Sequence, residues 1–508
     1  MSSKPVRVRF APSPTGGLHL GGIRTVLYNY LFAKKHNGSF ILRIEDTDQT
    51  RLVAGAEDYI NNCLAWCGIV PNEGVEQGGN YGPYKQSQRK QLGIYKTHAD
   101  ELVKNGYAYL AFDTPEELET MRANNKTEAN PSPQYDNTTR LTMRNSLTLP
   151  PAQVNALLAL NTPYVVRIKI PQNQTITLTD LIRGTISFDS NLIDDKVLLK
   201  KDGMPTYHLA VVVDDYLMQI SHAFRGEEWL PSSPVHILLW QYLGWASHMP
   251  QWAHLPLILG PNGKLSKRDG AKYGFPVFGL NWTDPATNET TEGFKERGFL
   301  PEAFINLLAM LGWNNGTDKE LFNINELIAS FSLERVHSAG AKFDYEKALW
   351  FNTEYIKAAS TQVLLPHVKL VYQNNGIAVA DDLLIKIIPA IKDRCHLLPH
   401  FYTQGSYFIN APTIWDMEAV KPKWTPEKTF FFEELLAFYR VLEFWTAANL
   451  EEIFKSFANS QGLKPGDLQL PMRIMLVGGK FGPQVFEIAA ILGKQETLAR
   501  ITLFLAKI

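Results

Sequence analysis

Residues 6–48 read VRVRFAPSPTGGLHLGGIRTVLYNYLFAKKHNGSFILRIEDTD, and this stretch decides the fold. Its first five residues alternate an apolar side chain with arginine, which predicts a β-strand. A Pro/Gly-rich loop over residues 11–22 comes next, followed by a helical segment over residues 23–35 and a second strand over residues 40–44. This order of strand, loop, helix and strand predicts the βαβ unit of a parallel nucleotide-binding sheet.

The pattern changes in the following part of the chain. Apolar spacing over residues 56–67 predicts a helix, and a polar stretch over residues 124–139 then interrupts the pattern. Short strands at residues 164–170 and 185–188 read as an inserted α/β module. The large sheet is predicted to resume at residues 207–214, YHLAVVVD, a run apolar enough for burial on both faces.

The last third of the chain is predicted to be all-helical. From about residue 301 onward, apolar residues recur at helical spacing, as Leu307, Leu308 and Leu311 do, and strand patterns are few. The predicted fold class is therefore multidomain, α/β followed by all-α. A length of 508 residues allows roughly three or four domains.

Composition sets broad limits on function. The formal net charge is −1, so a polyanionic partner would need a local basic face. The three cysteines, Cys63, Cys67 and Cys395, are too few for a disulfide framework and favour a reducing compartment. No apolar run approaches the roughly 20 residues of a membrane-spanning helix, and a strand that begins by Val6 leaves no room for a signal peptide. The sequence thus predicts a cytoplasmic protein with no membrane partner.

The loop PSPTGGLHLGG, residues 12–22, is the first motif that carries chemistry. Glycines let a backbone approach a ligand closely, and the start of the next helix offers N–H groups and a positive dipole end to phosphate. The imidazole of His19 could stabilise phosphate oxygens as charge builds up in a transition state. A Gly-rich loop with one histidine also fits a plain structural turn, so this motif does not decide alone.

The second motif is KLSKR, residues 264–268, which the turn GPNG precedes. Lys264 and Lys267, spaced three apart in a Gly-flanked loop, make a mobile cationic clamp suited to a leaving pyrophosphate. A solvated basic loop is the alternative interpretation. One motif follows the first strand and the other follows the resumed sheet, and this joint placement favours the chemical interpretation of both.

Together the two motifs resemble the signatures of the class I aminoacyl-tRNA synthetases. HLGG at residues 19–22 stands where that class carries HIGH, and KLSKR stands where it carries KMSKS. Gly22, Leu265 and Arg268 depart from the class pattern, as is usual in the glutamyl branch. The resemblance narrows to the bacterial-type glutamyl-tRNA synthetases over nearly the whole chain. It rests on RFAPSPTG (9–16), RIEDTD (43–48), YD (135–136) with Arg140, RG (183–184), PTYHLA (205–210), VDD (213–215), RGEEW (225–229) and FD (343–344).

The resemblance implies both a reaction and a division into four parts. In the implied reaction, ATP activates L-glutamate to glutamyl-adenylate, pyrophosphate leaves, and the glutamyl group passes to the 3′-terminal adenosine of tRNA(Glu). A monomer is expected. The implied parts are a Rossmann-like catalytic domain (1–86 and 201–249), an inserted module for the tRNA acceptor end (87–200), a stem-contact region with the KLSKR loop (250–343), and a helical anticodon-binding region of two subdomains (344–508).

A substrate with two carboxylates and one ammonium group needs both cations and an anion in its site. Arg9 and Arg225 can offer the planar two-donor fork that suits carboxylates. Glu45 ends a predicted strand, where an open α/β sheet places its ligand. The resemblance implies that these three residues hold glutamate and that Ser13 and Tyr207 line the same pocket. Surface arginines and a structural ion pair of Glu45 are the alternative interpretation.

The resemblance also implies an ATP site. The phosphates would meet His19 and Lys267, with Mg²⁺ between the phosphoryl groups as phosphoryl chemistry generally needs. With Lys264, these residues form the implied catalytic set, which positions groups and stabilises charge without a covalent enzyme intermediate. The adenine would lie near Gly21, Glu228, Trp229 and the backbone of Leu257 and Ile258.

Two features of relatives are expected to be absent. Val211 stands where some relatives carry an asparagine that reaches the amino acid, and valine cannot donate a hydrogen bond. Some relatives hold zinc through a Cys-x-Cys pair in the inserted module, whereas residues 107–112, YAYLAF, contain no cysteine. No histidine pairs with cysteines at metal-ligand spacing either, so no zinc or other protein-bound metal is predicted.

The C-terminal part bears on the choice of tRNA. Glutaminyl-tRNA synthetases end in β-barrels and differ from this chain at residues 11–16, so the resemblance disfavours that branch. Arg394 aligns with an arginine that some relatives use to read the last anticodon base, and paired donors can discriminate base edges. This favours selectivity for tRNA(Glu). A phosphate contact or a surface role for Arg394 leaves open a non-discriminating enzyme that also charges tRNA(Gln) with glutamate.

Two other classes of protein compete with this prediction. One is an adenylylating ligase on the same fold without a tRNA substrate, and the long helical C-terminal part argues against it. The other is a catalytically inactive tRNA-binding protein. Nothing in the sequence supports loss of activity, because His19, Lys264, Lys267, Arg9 and Glu45 are all present. An active aminoacyl-tRNA ligase is therefore the prediction.

Overall fold

The computed structural model describes residues 5–128 and 130–508 and, within them, every side chain except that of Lys267. The chain forms two compact units. One comprises Met1–Phe294 and Phe304–Asp344, and the other comprises Lys295–Ala303 and Tyr345–Ile508.

The first unit contains a six-stranded sheet with the strand order β2 (Ser39–Leu42), β1 (Arg7–Phe10), β8 (His222–Gly226), β9 (Gln251–Leu255), β5 (Thr175–Asp180) and β6 (Gly184–Asp189). Its neighbouring strands are parallel except for β6, which pairs antiparallel to β5 at one edge. The strands of the whole chain are β1 (Arg7–Phe10), β2 (Ser39–Leu42), β3 (Ala108–Ala111), β4 (Val165–Ile168), β5 (Thr175–Asp180), β6 (Gly184–Asp189), β7 (Val197–Leu199), β8 (His222–Gly226), β9 (Gln251–Leu255), β10 (Ile258–Gly260), β11 (Gly263–Lys264), β12 (Trp282–Thr283), β13 (Thr290–Thr291) and β14 (Ala341–Lys342).

Helices make up most of the remaining regular structure. They are α1 (Leu20–Lys35), α2 (Ala56–Trp66), α3 (Gln86–Gln91), α4 (Ile94–Lys104), α5 (Pro115–Asn125), α6 (Pro151–Ala159), α7 (Tyr207–Leu217), α8 (Ser233–Tyr242), α9 (Lys267–Tyr273), α10 (Phe294–Arg297), α11 (Pro301–Met310), α12 (Ile324–Ser330), α13 (Tyr345–Ala358), α14 (Thr361–Asn374), α15 (Asp381–Ile391), α16 (His400–Gly405), α17 (Met417–Val420), α18 (Pro426–Val441), α19 (Ala447–Ser460), α20 (Pro465–Val477), α21 (Val485–Leu492) and α22 (Lys494–Leu505).

The predicted βαβ unit at the N-terminus is confirmed. β1 and β2 are parallel neighbours, paired from Arg7 with Ser39 to Phe10 with Leu42. All four residues of β1 are buried, which fits a central strand covered on both faces. Helix α1 begins at Leu20, earlier than predicted, so that the chain enters the helix directly from the Gly-rich loop.

The prediction of a sheet strand at residues 207–214 is wrong. This run forms α7, a helix whose residues 209–215 are all buried, and the neighbouring sheet strand is β8. A short continuous apolar run fits a buried helix as well as a buried strand, because burial on all sides removes the periodicity that separates them. The residues before the run, Pro205 and Thr206, are typical of a helix start, and Thr206 is the N-cap.

The strand predicted at residues 185–188 exists as β6, but it belongs to a different sheet from the one expected. It pairs with β5 along the edge of the large sheet rather than with β4. Strands β3, β4 and β7 form a separate antiparallel sheet. A small core of its own supports this sheet, with Tyr109, Ala111, Met121, Tyr135 and Met143 buried.

The second unit is helical, as predicted. Residues 345–508, all of which the structure describes, contain no strand. Helix α18 illustrates the packing: Phe431, Leu435 and Tyr439 recur every four residues and are buried in the core of this unit. Across the described residues of both units, no helix has the length and apolarity that crossing a bilayer requires.

Candidate active site

A cavity of about 1100 Å³ opens in the first unit at the carboxyl ends of β2, β1 and β8. Open α/β sheets bind their ligands at this edge. The predicted residues that line the cavity are Arg9, Ser13, His19, Gly21, Glu45, Tyr207, Arg225, Glu228, Trp229, Leu257, Ile258 and Lys264. The side chain of Lys267 lies outside the described part of the chain, and Arg394 is exposed on the second unit.

Arg9 belongs to a buried network of charges on one wall of the cavity. Its Nε and Nη2 lie 3.1 and 3.2 Å from the two carboxylate oxygens of Asp215. Arg43 donates to the same carboxylate at 2.8 Å and to Glu45 Oε1 at 2.9 Å. The network therefore fixes both an arginine and a glutamate that face the cavity.

Burial disfavours the charged form of both carboxyl groups in this network, but their net pKa shifts are opposite. Burial raises the pKa of Glu45, and the opposing charges of Arg43 and Arg9 do not fully offset it. Burial also disfavours the charged form of Asp215, but Arg9 and Arg43 outweigh it and lower the pKa of that carboxyl group. Asp215 is thus the permanent anion of the network. The ammonium group of a ligand beside Glu45 would favour its ionised form as well.

Arg225 is the penultimate residue of β8 and lines the cavity as well, and its contacts differ in kind from those of Arg9. Its Nε donates to His254 Nε2 at 2.9 Å, and its Nη1 lies 3.0 Å from His236 Nδ1. The other contacts are the Ser233 hydroxyl at 3.0 Å from Nη2 and the Tyr207 hydroxyl at 3.3 Å from Nη1. The guanidinium group is therefore held by neutral oxygen and imidazole acceptors.

Helix α7 supplies one face of the cavity. Tyr207, Val211 and Asp215 are spaced four residues apart and so share one helical face. Tyr207 and Val211 line the cavity, and Asp215 holds Arg9 behind it. A strand would also place these three residues on one face, but it would spread them over about 26 Å, whereas the helix holds them within about 12 Å along its axis.

The Gly-rich loop is supported by a segment that follows α9. The ring of Phe278 stacks on the imidazole of His19 with 4.4 Å between centroids, and the backbones of the two residues form an isolated β-bridge. A Cβ atom on Gly17 would lie 2.8 Å from Phe278 Cε1 and 2.8 Å from Trp282 Cγ. Residues 277–282 therefore pack directly against the signature loop and fix the position of His19.

We expect Phe278→Leu to lower kcat about 10- to 100-fold while the KM for the amino acid changes little. Leucine keeps an apolar side chain in this fully buried position but removes the ring that orients the His19 imidazole. Steady-state kinetics of the aminoacylation reaction that the sequence resemblance implies measure the effect.

Phe275→Leu is the matched control for this prediction. Phe275 is buried just before residues 277–282 and packs on Tyr273 and Phe343. If both leucine variants kept the kcat of the unmodified protein, or lost it equally, the stacked ring would have no specific role in placing His19.

The KLSKR segment forms a hairpin and a helix start. Lys264 lies on β11, which pairs with β10, and its Nζ lies 3.1 Å from Glu228 Oε1. Both side chains of this ion pair are exposed, so the interaction is weak and can exchange for a phosphate. Ser266 caps α9 in a reciprocal box with Asp269, which places Lys267 at the first helical position. The helix start adds N–H groups that favour an anion nearby.

The predicted adenine position is partly occupied by the protein itself. The N–H of Leu257 donates to Glu227 Oε1 at 3.1 Å, and its carbonyl oxygen accepts from the Ala341 N–H at 2.9 Å. An adenine contact with the Leu257 N–H would therefore have to replace its bond to Glu227, whereas the carbonyl oxygen keeps a second lone pair for a further donor. Trp229 is exposed, with its ring 4.7 Å from that of Tyr207, so it can cover a planar ligand.

Comparison with known proteins identifies the family. The protein-family model for the catalytic domain of the tRNA synthetases class I (E and Q) matches residues 5–350. The chain belongs to this family. A second model, the anticodon binding domain, matches residues 350–505 of this class I synthetase, so the two matches together account for nearly the whole chain.

Full-length relatives carry the same activity name. The class I synthetase is 50% identical over 502 residues to the glutamate–tRNA ligase of Flavobacterium psychrophilum. The aligned residues cover 98% of each chain. It is 48% identical over 503 residues to that of Amoebophilus asiaticus, covering 98% of this chain and 97% of the relative. A solved glutamate tRNA ligase from Elizabethkingia meningosepticum, in complex with its amino acid, is 48% identical and covers 99% of both chains with a TM-score of 0.94.

Several residues that shape the site of this class I synthetase escaped the sequence analysis. Arg43 and Asp215 stood inside recognised motifs without an assigned role. The sequence did contain a signal for Asp215, because a carboxylate at the end of a mostly apolar run is expected to be buried and paired. Asp215 is indeed buried. His236 and His254 were isolated histidines within the apolar runs VHILLW and WAHLPL, and such residues are more often satisfied core groups than ligand contacts. Phe278 carried no signal.

Proposed function

We propose that this chain is a glutamate–tRNA ligase that activates L-glutamate with ATP and transfers it to the 3′-terminal adenosine of tRNA(Glu). In the first step a glutamate α-carboxylate oxygen attacks the α-phosphorus of ATP, and the bond to the leaving pyrophosphate breaks. In the second step a ribose hydroxyl of the tRNA, by class I resemblance the 2′-OH, attacks the activated carbonyl and AMP leaves. Both steps rely on positioning and charge stabilisation.

The charge of the amino-acid site is the observation that carries this proposal. Glutamate brings two carboxylates and one ammonium group, a net charge of minus one, whereas glutamine is neutral. Arg9 is paired with the Asp215 carboxylate, whereas Arg225 has no carboxylate partner among the described side chains, so Arg225 can complement the anionic side chain of glutamate.

We assign the substrate groups to residues as follows. Arg225 takes the side-chain carboxylate, because its charge has no carboxylate partner among the described side chains. Glu45 takes the ammonium group and Arg9 a carboxylate oxygen, while Ser13 and Tyr207 complete the wall. Val211 offers only apolar contact, so Tyr207 and Arg225 must supply the polar contacts on that side.

ATP binds, in this proposal, between the two signature segments. His19, Lys264 and Lys267 are assigned to the phosphates, and the cavity residues Gly21, Glu228, Trp229 and Ile258 are assigned to the nucleoside. Among the described residues, no group of three or more histidine, cysteine or carboxylate side chains could hold a metal ion. We propose that Mg²⁺ would bind with the phosphates of ATP and would neutralise charge during phosphoryl transfer.

The tRNA contacts follow the division of the chain. We infer that residues 87–200 receive the acceptor end, residues 250–343 contact the stem and residues 344–508 bind the anticodon. We also infer a cytoplasmic reaction and a monomeric enzyme, because the proposed substrate is a tRNA and one chain supplies all the assigned residues.

Aminoacylation of purified tRNA(Glu) and tRNA(Gln) with labelled glutamate, and separately with labelled glutamine, tests the proposal. We expect glutamate to be transferred to tRNA(Glu) and glutamine to neither tRNA. Absence of glutamate transfer under conditions in which an authentic glutamate–tRNA ligase works would overturn the proposal.

Arg394→Gln is expected to relax the preference for tRNA(Glu) over tRNA(Gln). A bidentate arginine contact with a base edge is worth about 1–3 kcal/mol, so the ratio of kcat/KM values should fall roughly 5- to 150-fold. Arg394 is exposed at the end of a 3₁₀ turn of the helical unit, where it can reach a bound nucleic acid.

Lys386→Gln serves as the control, because Lys386 is an exposed cation on α15 of the same unit. Loss of a phosphate contact weakens binding of both tRNAs equally. An unchanged preference in Arg394→Gln would remove the selective role of this arginine. Charging of tRNA(Gln) with glutamate by the unmodified protein would instead identify a non-discriminating enzyme.

A further inference from the structure

The surroundings of Arg225 differ from those of the other cavity arginine in a way that affects its charge. Arg9 is paired with both oxygens of the Asp215 carboxylate, so its charge is compensated within the protein. Among the side chains that the structure describes, Arg225 has no such ion pair. Its two closest nitrogen contacts are imidazoles, from His254 on β9 and His236 on α8.

The hydrogen-bond geometry determines which tautomer each imidazole adopts. A guanidinium group can only donate, so His254 Nε2 and His236 Nδ1 must both be unprotonated acceptors. The proton of His254 then lies on Nδ1, which is 2.6 Å from Asp180 Oδ2. The proton of His236 lies on Nε2, which is 3.2 Å from His208 Nδ1. Both rings are therefore neutral, and each is held from behind by a second acceptor.

Burial keeps these imidazoles neutral. Both rings are almost fully buried. Burial lowers the pKa of His236 well below its ordinary value, and the charge of Arg225 lowers it further. Burial and Arg225 likewise lower the pKa of His254, against the opposing effect of Asp180. Neither ring thus becomes a cation that would repel Arg225.

We propose that His236 and His254 are positioning residues that hold Arg225 without neutralising it, so that its charge remains for the side-chain carboxylate of the substrate. A carboxylate in place of either imidazole would hold the guanidinium equally well but would compensate its charge. Asp180 orients His254 through Nδ1, as carboxylates commonly fix the tautomer of a functional imidazole. The inference rests on the proposed function, because it concerns selection of glutamate.

This arrangement selects an anionic side chain over a neutral one. A buried guanidinium with only neutral partners is an incompletely compensated charge, which is unfavourable in a low-dielectric site. A ligand carboxylate at Arg225 removes that cost, whereas the amide of glutamine does not. The imidazoles thus contribute to specificity although they do not touch the substrate.

Amide substitutions at the two histidines test the proposal, because they preserve different ring contacts. The asparagine amide reaches about as far as histidine Nδ1, and the glutamine amide about as far as Nε2. At position 254, His254→Gln can therefore keep an acceptor for Arg225, whereas His254→Asn keeps only the contact with Asp180. At position 236 the order reverses: His236→Asn can accept from Arg225, and His236→Gln can reach only His208.

We expect the KM for glutamate to follow this reversal. His254→Asn and His236→Gln should raise it about 10- to 100-fold, because each leaves a buried Arg225 donor without its acceptor. His254→Gln and His236→Asn should stay within a few-fold of the unmodified protein. In all four variants, kcat and the KM for ATP should change little. Steady-state charging of tRNA(Glu) measures these constants, and thermal unfolding checks that each variant is folded.

His222→Gln is the control, because His222 is half-buried at the start of β8, the strand that carries Arg225. Its side chain contacts Ser221 and Phe32 rather than Arg225. It should leave the KM for glutamate unchanged. If the asparagine and glutamine variants behave alike at both positions, the histidines are merely structural and the inference is wrong. Failure of the unmodified protein to charge tRNA(Glu) with glutamate would overturn the proposed function itself, so the two failures are distinguishable.

Discussion

Arg225→Gln is expected to lower kcat/KM for glutamate by about two to three powers of ten, mostly through KM. Arg225 is almost fully buried, and four hydrogen bonds fix its guanidinium group. Truncation of one partner of a buried, hydrogen-bonded charge pair costs about 3–4 kcal/mol, and each 1.4 kcal/mol is roughly tenfold. Aminoacylation kinetics at varied glutamate concentration measure the loss.

Arg225→Lys separates charge from geometry in this prediction. Lysine keeps the positive charge but lacks the planar fork of two donors. The kcat/KM of Arg225→Lys for glutamate should therefore lie between that of the unmodified protein and that of Arg225→Gln. The KM for ATP should be unchanged in both variants, which would show that the rest of the cavity is intact. A glutamate KM in Arg225→Gln equal to that of the unmodified protein would mean that another residue binds the side-chain carboxylate.

The parts of the fold that short-range patterns determine could be predicted. The first βαβ unit depends on alternation in β1, the Pro/Gly loop and the helical spacing of α1, all within residues 6–44. The same approach misassigned α7, since an apolar run buried on every side shows neither period clearly. The sheet of β6 was also misassigned, because strand pairing is a long-range property that residues 185–188 do not contain.

The site shows the same limit. Arg9 and Glu45 could be predicted as neighbours, because the carboxyl ends of adjacent parallel strands meet at one edge of a sheet. The role of Asp215, which holds Arg9 directly and Glu45 through Arg43, could not be predicted. Asp215 lies 206 residues from Arg9 and 172 residues from Arg43 in the sequence. Side-chain networks of this kind depend on how β1, β2 and α7 pack together, and a single sequence does not encode that packing in any local pattern.

Asp215→Asn is expected to lower the free energy of unfolding of the first unit by about 3–5 kcal/mol. The Asp215 carboxylate compensates two buried arginines, Arg9 and Arg43, and the asparagine amide would turn one donor group toward them. Because those arginines hold the pKa of Asp215 below its ordinary 3.8, its stabilising effect is fully present above that pH. It disappears as the pH falls through the lowered pKa. Urea denaturation should therefore give the same difference at pH 7 and pH 5.

Asp195→Asn is the control that distinguishes a loss of stability from a loss of substrate binding. Asp195 is also fully buried and pairs with Arg140 at 3.1 Å, but it lies in the separate β3-β4-β7 region. Both asparagine variants should lower stability, whereas only Asp215→Asn should raise the KM for glutamate, because only Asp215 orients Arg9. Unchanged stability of Asp215→Asn at pH 7 would show that the two arginines do not need this anion. An equal rise in the glutamate KM for both variants would show that instability alone, rather than the orientation of Arg9, weakens substrate binding.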